Sequence, residues 1–178
     1  DVYKRQGYIR TYNNSGRETS YLGTGSDNSG QLRIYDKQGE TRSYIGDGYL
    51  QAYNQFGERT IFLGTGTNGG GYLRTYNFSG QESIYVGTGA DSSGQIRIYD
   101  NSGETGSFLG SGYFRTYNKF GKLTTFVGNA SDGGGYLRTN NKFETETVFL
   151  GTNNANEGLI NLNDKFGQSF WISLNKKN

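Results

Sequence analysis

The chain repeats a short pattern from Gly7 to its end, and this repetition constrains the fold more than any other feature. The pattern reads Gly-x-[Leu/Ile/Phe]-Arg-x-Tyr-[Asn/Asp]-x-x-Gly and is followed by an aromatic–aliphatic–Gly triplet. Successive copies begin about 18 or about 23 residues apart, and a larger unit of about 64 residues also recurs. Periods of this length are typical of stacked arrays, in which a single unit cannot bury its own apolar face.

Each copy of the pattern predicts a β-hairpin. The segment from Tyr8 to Tyr12 alternates and is rich in β-formers, which indicates a strand. The Asn or Asp that follows favours a type I turn, and the Gly three residues later suits the left-handed position of a bulged three-residue loop. One copy has Glu144 instead of this Gly, so we expect strain or an altered turn there.

The connections between copies have two lengths. Segments 46–48 and 110–112 are short and predict tight hairpin turns, whereas the other connections carry five more residues and mark one loop side of the array. The predicted fold class is therefore all-β, a tandem β-hairpin repeat array that forms an elongated antiparallel meander. A β-solenoid is the alternative, because a repeat of about 18 to about 23 residues also suits one coil.

The pattern also divides the chain. Residues 1–6 resemble a translated adaptor and are predicted to be a scar rather than native sequence, so we expect the natural protein to extend upstream of this fragment. Residues 7–157 are predicted to form seven tandem hairpin repeats, each of about 18 or about 23 residues. In residues 158–178 Asn161 and Asn163 replace the usual Arg and Tyr, which predicts a degenerate capping repeat followed by a polar tail.

The composition of the chain limits the classes of function that we expect for it. The chain has 30 Gly, 15 Tyr and 11 Phe but no Pro, Cys, Met or His, and its net charge is +2. We therefore expect no membrane insertion, since no apolar run approaches the ~20 residues required, and no nucleic-acid partner. No cofactor is expected. Turn chemistry already explains Asp36, Asp100 and Asp164, so we also predict that the protein is not an enzyme.

Alternation places Tyr8, Arg10 and Tyr12 on one face of the first strand. Repetition extends this face into a Tyr-Arg ladder that could bind an anionic glycan or could simply cover the sheet, with Glu residues as weak partners. The candidate ligand-binding residues are Arg10, Arg33, Arg74, Arg97, Arg115, Arg138, Tyr12, Tyr35, Tyr53, Tyr76, Tyr99 and Tyr117, and the acidic partners are Glu18, Glu40, Glu82 and Glu104.

Two further expectations concern the returning strand and the long connections. If the turn is bulged, Tyr21 should share a face with Ile9, and Leu22 should share a face with Tyr8. The long connections carry Asp27, Asp91 and Asp132. Each supplies a single carboxylate, whereas calcium loops supply several, so no metal site is predicted.

The recurring hairpin signature resembles the Gly/Tyr/Asn-rich hairpin arrays of bacterial surface proteins and phage tail-fibre shafts. More loosely, RIYDNSGE at 97–104 is similar to the YD repeats of bacterial toxin shells. The resemblance implies an extended, often trimeric stalk on a cell surface or virion, and no catalytic residues. We therefore expect a non-catalytic structural or adhesive segment that forms a homotrimer. The alternative is a carbohydrate-binding module whose Tyr-Arg ladder holds an anionic cell-surface polysaccharide.

Overall fold

The computed structural model of the chain describes residues 7–67, 69–131, 133–153, 155 and 157–174, with side chains as far as residue 171. It forms two compact units, one ending at Thr88 and the other beginning at Gly89. No helix long and apolar enough to cross a bilayer occurs in these ranges. The predictions for residues 1–6, for Asp132 and for the tail at 175–178 fall outside the described residues.

The first unit contains eight strands, each of four to seven residues and each separated from the next by a tight turn. They are β1 (Ile9–Tyr12), β2 (Glu18–Thr24), β3 (Gly30–Tyr35), β4 (Thr41–Gly46), β5 (Tyr49–Tyr53), β6 (Arg59–Thr65), β7 (Gly71–Tyr76) and β8 (Glu82–Thr88).

The second unit repeats this arrangement with eight further strands. They are β9 (Gly94–Tyr99), β10 (Thr105–Gly110), β11 (Tyr113–Tyr117), β12 (Leu123–Asn129), β13 (Gly135–Asn140), β14 (Glu146–Thr152), β15 (Gly158–Asn163) and β16 (Ser169–Leu174).

Within each unit every strand pairs antiparallel with its neighbours in sequence. This topology confirms the predicted all-β hairpin meander. A solenoid would instead stack equivalent strands in parallel from coil to coil, and the observed pairing has no such register.

The turns after the first strand of each pair form as predicted. In the first hairpin the Gly16 amide donates to the Asn13 carbonyl, and the Asn13 side chain accepts from the amides of Ser15 and Arg17. Glu144 keeps this turn, although its φ of 66° is in the left-handed region. The turn therefore survives the loss of Gly, at the cost of the strain that a side chain brings to this conformation.

The connections to the following strand are also tight turns. The short connection through Asp47 and Gly48 has φ of 50° and 78°, as a two-residue hairpin turn requires. The long connection does not form an open loop: β2 and β3 are extended, the Gly25 amide donates to the Ser29 carbonyl, and Asn28 adopts φ 66°. The extra residues therefore lengthen the hairpin and close it with the same bulged turn.

A second bulge, which the sequence analysis did not anticipate, recurs in each returning strand. Thr11 pairs with Ser20 and Tyr12 pairs with Glu18, so Thr19 has no partner in the ladder. The residues at the equivalent positions are Arg42, Thr60, Ser83, Gly106, Thr124, Thr147 and Phe170. A residue inserted in this way reverses the alternation of side chains beyond it.

The second bulge makes the predicted face assignment wrong. Arg10 pairs directly with Tyr21, and Ile9 pairs directly with Leu22. Because directly paired residues lie on the same face, the aromatic residue of each triplet joins the arginines and the aliphatic residue lies opposite.

Each unit therefore has two different faces. The aromatic face carries the arginines and the rings of both strands; in the first unit its paired members include Arg10, Tyr21, Arg33, Tyr44, Phe62, Arg74 and Tyr85. The aliphatic face carries the opposite set, which in the first unit includes Ile9, Leu22, Leu32, Ile45, Leu50, Leu63, Leu73 and Val86. Phe126, on the aromatic face of the second unit, is the one buried hydrophobic residue among those described.

The Gly at the end of the aromatic–aliphatic–Gly triplet makes room for an aromatic residue on the neighbouring strand. A Cβ on Gly87 would lie 2.5 Å from the Cβ of Tyr72, and a Cβ on Gly128 would lie 2.5 Å from that of Tyr113. Glycine therefore lets the neighbouring tyrosine lie flat against the strand.

We expect Gly87→Ala to lower the free energy of unfolding by about 1–3 kcal/mol, because the added methyl overlaps the backbone and Cβ of Tyr72. Urea denaturation would measure the change. Gly30→Ala is the matched control: no atom lies within 4 Å of its Cβ position, and we expect a change below about 0.5 kcal/mol. Equal losses in the two variants would contradict this packing role.

Candidate functional site

The predicted arginine ladder lies on the aromatic face, where each arginine is paired across strands with a ring. The pairs that link a first strand to its own returning strand are Arg10–Tyr21, Arg33–Tyr44, Arg74–Tyr85, Arg97–Phe108, Arg115–Phe126 and Arg138–Phe149. In five of the six cases the guanidinium carbon is 4.2–5.7 Å from a ring centroid, within the range of a cation–π contact.

The rings themselves form stacks within each unit. In the second unit Phe126 lies between Tyr113 and Tyr136, with centroid separations of 5.6 and 4.7 Å. In the first unit the stack runs from Tyr49 through Phe62 and Tyr72 to Tyr85, with separations of 5.1–5.7 Å. Offset stacking at these distances stabilises the sheet beyond the burial of area alone.

Two of the four predicted acidic partners contact the ladder. Arg10 lies 3.4 Å from Glu18, and Arg74 lies 3.4 Å from Glu82. A hydrogen bond with Tyr12, together with the charge of Glu18, raises the pKa of Arg10. Burial lowers the pKa of Arg74, but Glu82 and a hydrogen bond with Tyr76 outweigh it, so the net shift is upward. By contrast, the backbone amides of Glu40 and Glu104 donate to the turn carboxylates of Asp36 and Asp100.

The ladder arginines are packed as well as charged. Their Nε atoms are buried without a hydrogen-bond partner in Arg33, Arg97, Arg115 and Arg138, and the buried Nε of Arg74 has only the ion-pair contact of 3.4 Å with Glu82. A ligand in solution cannot reach a buried Nε atom, so only the terminal nitrogens of the guanidinium groups could contact one. This geometry favours a packing role for the stems of the ladder residues.

The six predicted tyrosines lie at the turn-proximal end of their strands, beside the second bulge. Tyr12 is exposed, and the Tyr53 hydroxyl donates to the Gln51 side chain. The guanidinium carbon of Arg59 lies 4.6 Å from the centroid of the Tyr76 ring, and Arg59 is not one of the predicted ligand-binding residues. The other predicted tyrosines are Tyr35, Tyr99 and Tyr117, each at the equivalent strand position.

Sequence reasoning missed two groups of functional candidates. The aromatic residues of the triplets, such as Tyr21 and Phe126, are the main ring partners of the ladder arginines. The recurrence of the triplet in the sequence could have identified them. The second group is a set of exposed turn-tip rings: Phe56, Phe78, Phe120, Phe143 and Phe166. Three of these rings have the preceding lysine 4.9–5.1 Å from the ring centroid.

The aspartates of the long connections take part in turns. Hydrogen bonds from the Ser29 hydroxyl and amide hold the pKa of Asp27 below its ordinary value, and Ser93 does the same for Asp91. Within the described ranges, no group of three or more acidic residues is placed to hold a metal ion.

The ladder is interrupted in each unit. Gln51 takes the arginine position on β5, and Asn161 takes it on β15. The first interruption opens a polar cleft of about 410 Å³ on the aromatic face of the first unit.

Comparison with known proteins gives little further guidance. No protein-family model and no curated protein matches the chain. Among solved structures it is similar to one chain of the Tc holotoxin pore from Photorhabdus luminescens, with 12% identity over 88% of this chain and a TM-score of 0.26. The alignment covers 12% of that toxin chain, and a similarity at this TM-score carries no argument about function.

Proposed function

We propose that this chain is a non-catalytic structural and adhesive repeat segment of an extracellular or tail-fibre-like protein, and that it associates with further copies of itself. The aliphatic face carries this proposal. Many of its large side chains are exposed in both units; Leu63, for example, is 51% exposed and Leu109 is 49% exposed. Continuous apolar surface of this kind is typical of an interaction site.

The paired strand positions of the aliphatic face also lack charge. Arg42 occupies a second-bulge position, whose counterparts Thr19 and Ser83 bond Thr11 and Thr75 on this face, and it forms an ion pair with Asp36. At the strand positions paired in the described ranges the aliphatic face carries aliphatic residues, an occasional Phe or Trp, small residues such as Ser, Thr, Ala and Gly, and Asn129, but no Lys, Arg, Asp or Glu. All six ladder arginines lie on the other side. A second copy is the partner that suits this face best, because it offers an equally apolar surface with the same repeat spacing.

The adhesive part of the proposal would depend on repetition. Weak contacts with a surface polysaccharide add up when many equivalent hairpins are held in one assembly. On this proposal the Tyr-Arg ladder mainly stabilises each sheet, because its ring faces already contact guanidinium groups and other rings. Binding of an anionic glycan to the ladder stays a prediction.

Light scattering on a sizing column tests the self-association of the whole chain. We expect a mass of three times the 19.7 kDa of one chain, since three copies are the number that the fibre resemblance implies. A dimer would keep the aliphatic faces covered but would refute the trimer. A monomer at every concentration tested would overturn the proposed association.

A further inference from the structure

The polar cleft in the first unit combines several kinds of side chain that recognise an uncharged sugar. It contains two carboxylates, one guanidinium, two amides and tyrosine edges, and its main lining residues are Asp27, Asp47, Gln31, Arg33, Gln51 and Tyr49. Its volume of about 410 Å³ lies in the lower part of the range for small-molecule sites. The two roles predicted for the Tyr-Arg ladder, binding an anionic glycan and covering the sheet, do not require such a cleft.

The second unit shows why the cleft exists. At the position equivalent to Gln51 it has Arg115, whose guanidinium carbon lies 4.2 Å from the Tyr113 ring centroid. Gln51 is shorter and accepts a hydrogen bond from Tyr53 instead. The place that the Arg115 guanidinium fills in the second unit is therefore left open here. The ring of Tyr49, the equivalent of Tyr113, lies between Tyr44 and Phe62 with centroid separations of 5.2 and 5.5 Å, so only its edge borders the cleft.

Two other differences between the units add polar groups to this place. Tyr44 stands where the second unit has Phe108, and Asp47 stands where it has Ser111. The Tyr44 hydroxyl donates to an Asp47 oxygen over 3.3 Å. Burial of Tyr44, with smaller contributions from Tyr49 and Asp47, raises the pKa of Tyr44 to about 12.

We infer that this cleft binds a single uncharged pyranose beside the edge of Tyr49, with its hydroxyls bonded to Asp47, Gln51 and Arg33. Carboxylate and amide oxygens accept from sugar hydroxyls, while the guanidinium and the amide nitrogen donate to them. This inference gives a ligand class to the adhesive part of the proposed function and rests on it to that extent. It does not depend on self-association.

The charges in the cleft argue against other ligands. Asp27, Asp47 and Arg33 leave one net negative charge, which repels an anionic sugar. A calcium ion would require more carboxylate and carbonyl oxygens than two aspartates provide, and Arg33 would oppose it. An uncharged sugar is not repelled by the negative charge and does not need the additional oxygen ligands that calcium requires.

Saturation-transfer NMR with the methyl glycosides of glucose, galactose, mannose and N-acetylglucosamine tests the inference on the whole chain. We expect transfer to at least one of these sugars, with a dissociation constant of about 1 mM. We expect no transfer to glucuronic acid and no competition by calcium chloride. Failure of all four sugars, preference for glucuronic acid, or displacement by calcium would each overturn the inference.

Substitutions borrowed from the second unit locate the site. Gln51→Arg should fill the cleft and abolish transfer without lowering the melting temperature, because Arg115 occupies the equivalent position. Asp47→Ser should weaken binding about tenfold by removing an acceptor. Ala52→Thr is the matched control on the same strand, because it imports Thr116 on the opposite face and should leave binding unchanged. Unchanged transfer in both Gln51→Arg and Asp47→Ser would overturn the proposed site, and light scattering on the same samples reports self-association separately.

Discussion

Phe126→Ala is expected to lower the free energy of unfolding by about 3–4 kcal/mol, the largest loss that we predict for one substitution. Phe126 is 5% exposed, stacks against Tyr113 and Tyr136, and lies 5.3 Å from the Arg115 guanidinium. Its removal would therefore leave two rings and one cation without their shared partner. Denaturation by urea, followed through far-ultraviolet circular dichroism, measures the loss.

Phe120→Ala is the matched control for this prediction. The two phenylalanines lie in the same hairpin, but Phe120 is at the turn tip and is 69% exposed, with the Lys119 ammonium over its ring. We expect its loss to change stability by less than about 0.5 kcal/mol. If both variants lost similar stability, the ring stack could not be the main stabilising element of the second unit.

The double substitution Ile45→Lys and Leu63→Lys is expected to convert the proposed oligomer into monomers. Both side chains lie on the aliphatic face and are about half exposed in one chain. Lysine is therefore tolerated in the isolated chain, whereas in a face-to-face assembly it would bury unpaired charges. We expect at least about a hundredfold weaker association, measured by light scattering over a concentration series.

A control for this second prediction places the same charge elsewhere. Gln55→Lys adds a lysine at an exposed turn and should leave the mass unchanged. The melting temperature of each variant shows whether the fold is kept. If the double variant kept its fold and its oligomeric mass, the aliphatic face would not be the interface.

The hairpins and their first turns could be predicted because they depend on local signals. The Asn or Asp side chain and the Gly three residues later act within one turn, so each copy announces its own geometry. The sequence also showed that Glu144 replaces the turn Gly, but it did not show whether the turn would be kept. There the turn is kept, and the carboxylate accepts hydrogen bonds from Lys122 and from the Leu123 amide.

The second bulge was not predicted because, although five of its eight positions hold Thr or Ser, these residues are also common in ordinary strands of this chain. The other three positions hold Arg42, Gly106 and Phe170, so the bulge does not require one residue type. Because the bulge was not predicted, the aromatic residues of the triplets were assigned to the wrong face of the sheet. This omission also concealed the aliphatic face, since the apolar residues seemed to be divided between both sides of the sheet.

The cleft at Gln51 was hidden for a different reason. The sequence shows that Gln replaces Arg, but the space becomes apparent only when the packing of Arg115 on Tyr113 supplies the comparison. Whether the ladder arginines bind a ligand stays a prediction, as does the boundary of the capping repeat at residue 158.

The pairing of each strand only with its sequence neighbours, within each unit, has a consequence for how the protein folds. Every ladder closes over a turn of two to five residues, so no pairing has to wait for a distant part of the chain. Contact order is correspondingly low, which favours fast folding for an all-β protein and allows hairpins to form in succession during synthesis. Gene duplication can then lengthen such a chain without creating a new folding problem.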